Sequence, residues 1–410
     1  MRIGIDVSAA AISGPAAGGI YQYLSHLLEE LGRIAPEHEY WLFVNAFRSR
    51  PLDRCRAFLS RFRGEPFRPW VSRFPPRLRL ALRVPVWPRS RLDVFHGPAH
   101  LVWRVRRTPT VVTIHDLQYR RRLPIPRAEW RAILRAQAGP GRHLVAAFDV
   151  QERFFEGLAR HTEDTVRRAT RIIAVSESTR ADLIRLLGVP GEKIRVIHHG
   201  LDPYFVPVED PGALRRLRQR YGLPGPFFLF VGGINPHKNL GTLLQAHRLL
   251  RTAGGSRPLL ALAGHPDWFA PVLERQVADL GLQGVVRLLG FVPGEDLPAL
   301  YSAATLCVVP SGLEGFGLPA LEAMACGTPV VAARSGALPE VLGDAGVFAD
   351  PESPADFAEA CRRVLTDPGL RGRLRQGGMR RAKEFSWERA ARQTLAVYRE
   401  AVEGCTRPAG

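Results

Sequence analysis

Two glutamates, Glu314 and Glu322, lie in the segment Ser311-Gly-Leu-Glu-Gly-Phe-Gly-Leu-Pro-Ala-Leu-Glu-Ala-Met-Ala-Cys-Gly327, and their surroundings define the chemistry open to them. Pro319 suits the first turn of a helix and Gly327 its end, so the helix should start just after Gly317. Gly315 and Gly317 leave backbone N–H groups accessible at that N-terminus, where the helix dipole also favours negative charge, which makes a site for a diphosphate. A carboxylate beside a phosphate is repelled. Glu314, before the helix, and Glu322, about one turn inside it, are therefore better suited to accepting hydrogen bonds from sugar hydroxyls. A second cluster, Phe230-Val-Gly-Gly-Ile-Asn-Pro-His-Lys-Asn-Leu240, reads as strand, glycine loop and helix. There Gly232 and Gly233 permit close backbone approach and Lys238 brings a cation. In the first half, His115 ends the apolar strand of Val112-Thr-Ile-His-Asp-Leu117. A lone histidine is more often structural, but one at the end of such a strand is placed for function, whereas Asp116 serves equally well as a turn residue. There is no Asp-x-Asp, no His-Glu-x-x-His and no Cys-x-x-Cys, so neither a metal nor a cofactor is expected.

The elements that must hold these residues come in two series. The first opens with the strand Arg2-Ile-Gly-Ile-Asp-Val7, a loop containing Gly14, Gly18 and Gly19, and a helical pattern at Ile20, Leu24, Leu27, Leu28 and Leu31. Further strands are expected at residues 40–44, 94–96, 110–115, 171–175 and 194–198. A second series follows Pro203 and Pro207, with strands at 227–231, 259–263, 285–289, 305–309 and 329–332 and helices near 239–251, 269–280, 295–303 and 318–326. Strands alternating with helices predict parallel sheets covered on both faces. The expected fold is α/β, two Rossmann-like doubly wound lobes facing across a cleft at the carboxyl ends of their strands. Lobe boundaries fall at 1–205 and 206–385, with a terminal helix over 386–410. Residues 48–109, rich in Arg, Pro and Trp, fit this pattern poorly and are expected to form an excursion or mobile region on the first lobe.

Glu314 and Glu322, separated by seven residues that open with the Gly-Phe-Gly-Leu-Pro following Glu314, resemble the mark of the family 4 retaining glycosyltransferases of the GT-B fold, the group 1 glycosyltransferases. The resemblance covers essentially the whole chain and is weakest over 48–109. It implies that Glu314 and His115 meet the transferred sugar and that Glu322 holds the ribose diol of the donor nucleotide. It places Gly19, Gly232, Gly233, Lys238, Gly315, Phe316, Gly317 and Leu318 around the rest of the donor, and it sets the backbone of Val292, in Gly290-Phe-Val-Pro-Gly294, against the base. Many relatives carry arginine where this chain has Gly233, so His237 or an arginine from elsewhere must complete the phosphate clamp. The glycine-loop pattern is similar to that of a mannosyltransferase-like subgroup and suggests GDP-mannose as donor. A glycan or lipid-linked acceptor in polysaccharide or glycoconjugate assembly, retention of configuration and independence of metal are further implications. The tail Phe385-Ser-Trp-Glu-Arg-Ala-Ala-Arg resembles the last helix that crosses back to the first lobe.

The 410-residue chain carries a formal charge of +18, and its location narrows the partners. Between Arg48 and Arg142 stand 23 arginines and no lysine against five acids, an excess equal to that of the whole chain. Such a stretch attracts a membrane surface, a phosphorylated acceptor or nucleic acid. Its interleaving with Phe58, Phe62, Phe67, Trp70, Phe74, Trp87 and Trp103 favours an anionic membrane and a lipid-linked acceptor over nucleic acid. No apolar run is long enough to span a bilayer and Asp6 interrupts the first apolar stretch, so a cytoplasmic protein, peripheral on the inner membrane face, is expected. Five scattered cysteines indicate no disulfide framework. Among rivals, a GT-B epimerase or phosphorylase stays open, although no pyridoxal-lysine motif is present. A nicotinamide oxidoreductase is disfavoured because neither series opens with Gly-x-Gly-x-x-Gly. A nucleic-acid-binding protein rests on charge alone.

Overall fold

A computed structural model of the chain describes residues 1–13, 18–45, 52–72, 92–100, 105, 108–120, 141–252, 258–265 and 269–406. The chain divides into two units. One comprises Met1–Leu117, Glu156–Gly200 and Ser386–Gly410, and the other Gln118–Phe155 and Leu201–Phe385.

The first unit is built on a seven-stranded sheet of β1 (Arg2–Asp6), β2 (Glu39–Asn45), β3 (Phe67–Ser72), β4 (Val94–Gly97), β5 (Thr110–Ile114), β6 (Arg171–Ala174) and β7 (Ile194–Val196), in the order β3-β2-β1-β4-β5-β6-β7. Every pairing is parallel. The strand order reverses between β1 and β4, the point at which open parallel sheets leave a crevice beyond their carboxyl ends. Helix Gly19–Ile34 turns Tyr23, Leu24, Leu27, Leu28 and Leu31 inward, the stripe expected of a helix with one buried face. The closing helix Trp387–Thr406 packs on it within the same unit, burying Trp387, Ala391 and Tyr398. Within the stretch 48–109, expected as an excursion or mobile region, residues Leu52–Ser60 instead form a helix and Phe67–Ser72 adds a strand to the sheet, while residues 73–91 lie outside the described ones. That strand is at the edge, where Pro69 costs no ladder hydrogen bond on the open side.

The second unit's sheet contains β8 (Phe227–Val231), β9 (Leu259–Ala263), β10 (Val286–Gly290), β11 (Leu306–Val309), β12 (Val330–Ala333) and β13 (Gly346–Ala349), in the order β10-β9-β8-β11-β12-β13 and again all parallel. Phe227, Phe228, Leu229 and Phe230 are all buried, as central parallel strands covered on both faces require. The order reverses between β8 and β11, so the loops leaving these two strands share one crevice. Among the described residues no helix is long and apolar enough to cross a membrane.

Candidate functional site

Both chemistry-bearing loops of the second unit leave the strands that flank its switch point. Lys238 lies in the turn Pro236–Lys238 after β8, and Glu314 in the loop after β11. The topology brings them together: Lys238 Nζ is 2.7 Å from Glu314 Oε1, and Ser311 Oγ donates to the same oxygen at 2.6 Å. Both charged side chains are largely shielded, at 16% and 12% exposure, so the pair is screened less than a surface ion pair.

Backbone contacts hold this constellation in place. Asn239 is one of two non-glycine residues in the left-handed region among the described residues, at φ 55°, a conformation asparagine tolerates better than most residues. Its amide donates to the carbonyls of Pro310 and Pro351, tying the turn after β8 to the exit of β11. Gly336 approaches Glu314 so closely that a Cβ there would sit 2.4 Å from the Glu314 carbonyl oxygen, and Ala337 N–H donates to that oxygen at 3.0 Å. Gly264 packs on the carbonyl of Gly232, where a Cβ would lie 1.8 Å from the oxygen. None of Ser311, Asn239, Gly264 or Gly336 was singled out from sequence. The left-handed Asn and the glycines ending strands are faint signals that become legible only once the loops are seen together.

Helix Leu318–Ala325 begins where sequence placed it, with Gly317 as N-cap at φ 98°. Such a cap strongly favours glycine. Its N-terminus carries the positive end of the dipole beside the Lys238–Glu314 pair's own loop. Glu322 is only 5% exposed and accepts a hydrogen bond from Tyr301 OH at 2.8 Å. Burial, followed by the neighbouring Glu322 carboxylate, pushes the Tyr301 phenol well above its ordinary range, so it stays a donor at every relevant pH. Cys307 and Cys326 are raised by burial and by the same carboxylate, Cys326 to about 12, and are held as thiols. Phe316 is buried with its ring on Phe385, centroids 5.7 Å apart, so it can offer a ligand only its backbone. Val292 likewise buries its side chain, whereas Phe291 before it is 61% exposed. Gly233 is exposed, as is Gly19 at the start of its helix in the first unit.

His115 follows β5 in a separate cluster belonging to the first unit. Its Nε2 lies 2.8 Å from the Pro98 carbonyl, which can only accept, so the Nε2 proton is fixed. Its ring meets Tyr23 edge-on at 5.1 Å and His199 at 5.3 Å. Burial first, then His100, lowers its pKa to about 4, leaving a neutral imidazole. Beneath it runs a buried chain in which Thr113 Oγ1 is bonded to both Tyr23 OH and His96, and His96 to Tyr398 OH of the last helix. Among the described residues no group of three His, Cys, Asp or Glu is arranged to hold a metal.

Solved structures share this fold along nearly the whole chain. A sucrose-phosphate synthase from Thermosynechococcus elongatus matches with a TM-score of 0.68 at 22% identity, covering 98% of this chain and 100% of that one. Anabaena HepE, solved in complex with UDP and glucose, matches with a TM-score of 0.67 at 20% identity over 97% and 98% of the two chains. The architecture is that of the GT-B glycosyltransferases. Residues 215–381 match the family model described as glycosyl transferases group 1, and residues 17–205 match glycosyltransferase family 4. An O-antigen chain mannosyltransferase B of Escherichia coli is 36% identical over 262 residues, which is 63% of this chain and 68% of the relative. A D-inositol 3-phosphate glycosyltransferase of Acidothermus cellulolyticus is 33% identical over 78% of this chain and 69% of its own length, and one of Salinispora arenicola is 39% identical over 57% of its length. This chain belongs to the group 1, family 4 glycosyltransferases.

Proposed function

We propose that the chain is a retaining, metal-independent glycosyltransferase that moves a sugar from a nucleoside diphosphate sugar to a glycan or lipid-linked acceptor. The observation that carries this reading is the meeting of Lys238 and Glu314 at the β8/β11 switch point, beside the helix that presents Glu322. Glu322 takes the ribose diol, and Tyr301 keeps its carboxylate oriented. Backbone groups of Gly232, Gly233, Gly315, Phe316, Gly317 and Leu318 follow the diphosphate, that of Val292 meets the base, and Gly19 serves the donor from the first unit. Glu314 and His115 meet the transferred sugar. An ammonium has three donors, so Lys238 can hold Glu314 and still reach a phosphate oxygen.

In the reaction the bond from the anomeric carbon to the β-phosphate oxygen breaks, and the nucleoside diphosphate leaves with the electron pair. Lys238 and the helix N-terminus stabilise that charge as it develops. The acceptor hydroxyl attacks from the face being vacated and passes its proton to the departing phosphate oxygen, so configuration is kept. GDP-mannose is the donor the glycine-loop pattern favours, in line with the mannosyltransferase relative. The arginine-rich stretch between Arg48 and Arg142 serves a lipid-linked acceptor at an anionic membrane surface. A thermal-shift panel of GDP, UDP, GDP-mannose and UDP-glucose tests the donor assignment, because a true donor stabilises the fold by mass action. A rise in Tm with GDP-mannose above that with the UDP compounds is expected. No shift with any of the four would overturn the reading.

A further inference from the structure

His100 occupies an unusual place in the first unit. It is the other of the two non-glycine residues in the left-handed region among the described residues, at φ 63°, in the segment that follows β4. L-residues avoid this conformation because Cβ crowds the backbone, and it persists only where surroundings hold it. Here the hold is visible: His100 N–H donates to the Thr113 carbonyl at 3.1 Å, tying the segment to β5 just ahead of His115. The side chain that this backbone carries is 8% exposed, and its Nδ1 is buried with no hydrogen-bond partner among the described residues. What the ring does meet is His115, with centroids 5.6 Å apart at 49°.

The same short segment therefore meets His115 twice, through the Pro98 carbonyl on Nε2 and through the tilted His100 ring beside it. Tyr23 and His199 close other sides, and Thr179 Oγ1 donates to the His115 backbone carbonyl at 3.2 Å. With Nε2 engaged, the one remaining ring nitrogen is Nδ1, a bare lone pair that can accept from a sugar hydroxyl. We propose that His100 is a positioning residue whose strained backbone sets its imidazole beside His115 and so keeps that ring on the Pro98 carbonyl, in the tautomer and orientation that present Nδ1 to the transferred sugar. This rests on the reading of His115 as a sugar contact, and nothing in the family motifs quoted above assigns a role to His100.

The test uses the full chain labelled with 15N-histidine, the His115 signals being assigned by their loss in His115→Ala. In the parent, His115 should show a single Nε2–H tautomer. His100→Gly accepts the left-handed backbone without strain but removes the ring, and His100→Asn accepts it while keeping a polar side chain. Both should fold with nearly unchanged Tm, yet shift the His115 ring nitrogens toward a tautomer mixture. Both should also lower kcat for sugar release or transfer from GDP-mannose or UDP-glucose at least tenfold with little change in KM, and a His100→Gly/His115→Ala double variant should be no slower than His115→Ala alone. Unchanged His115 signals in His100→Gly would overturn the proposal, leaving His100 a turn residue. Full activity in His115→Ala would instead remove His115 from the sugar site and the proposal with it, so the two failures are told apart.

Discussion

Glu314 and Glu322 are eight positions apart in one loop and helix, yet the structure gives them different partners, and their variants should behave differently. Glu322 is buried and accepts a hydrogen bond from Tyr301. Glu322→Gln replaces a charged acceptor by an amide, so nucleoside diphosphate binding should weaken by roughly 1–3 kcal/mol. Calorimetry with GDP or UDP checks this, and unchanged affinity removes Glu322 from the nucleotide site. Glu314 is tied to Lys238 and Ser311. Glu314→Ala should lower kcat by more than it weakens nucleotide affinity, because an interaction with the transferred sugar strengthens toward the transition state. Equal losses for nucleotide and nucleotide sugar would contradict that division. Histidines make a further residue-scale prediction. Burial lowers His96 to about 3, and His115 and His247 to about 4. All three are neutral when folded but take up protons below pH 6.5 when unfolded, so their stabilising effect is complete above that pH and is lost as pH falls toward 4. The slope can reach about 4 kcal/mol per pH unit if all three titrate together. Thermal melts between pH 7.5 and 5 should show Tm falling steeply, and His247→Leu should flatten the curve; a flat profile in the parent would refute the burial argument.

At the scale of elements, the stitching of loops to one another decides whether the donor site exists. Gly264→Ala would push a methyl into the Gly232 carbonyl and separate the ends of β8 and β9. A loss of roughly 1–3 kcal/mol in stability is expected from such overpacking, together with weakened nucleotide binding. Denaturant unfolding measures the first and calorimetry the second; a variant as stable as the parent would show that the backbone can yield. The central strands were readable in advance because they are buried on both faces and appear as unbroken apolar runs, as in Phe227–Val231. The edge strand Phe67–Ser72 was not, because Arg68 and Pro69 mask it and its half-exposed burial removes the apolar run. The same contrast holds at the site. Glu314 and Glu322 are announced by glycines and a proline within a few residues. Asn239, Gly336 and Tyr301 act across 71, 22 and 21 positions of sequence, respectively, on Pro310, Glu314 and Glu322, and no local pattern encodes such distances.

For the whole molecule, charge and connectivity matter most. Several aromatics expected at a membrane face are used otherwise: Phe58 and Phe62 are buried and Phe67 packs against the same core, while Arg61 pairs with Glu29. Phe74, Trp87 and Trp103 lie outside the described residues, as does much of the arginine-rich stretch. Flotation should show binding to vesicles containing anionic lipid and release at ~0.5 M salt, where the Debye length is only a few ångströms. Binding indifferent to lipid charge and salt, or none, would favour a soluble acceptor. Connectivity carries a separate consequence. The chain leaves the first unit at Gly200 and re-enters it at Ser386, and these points are adjacent: a Cβ on Gly200 would lie 2.1 Å from Trp387 N, while Leu201 N–H donates to the Phe385 carbonyl. The segment 201–385 is thus a loop with its ends tied, and all six strands of the second sheet lie inside it, while Gln118–Phe155 joins the same unit from an earlier part of the chain. Expressed alone it should melt cooperatively and keep its affinity for GDP or UDP, and loss of both would show that Gln118–Phe155 is needed to complete the unit.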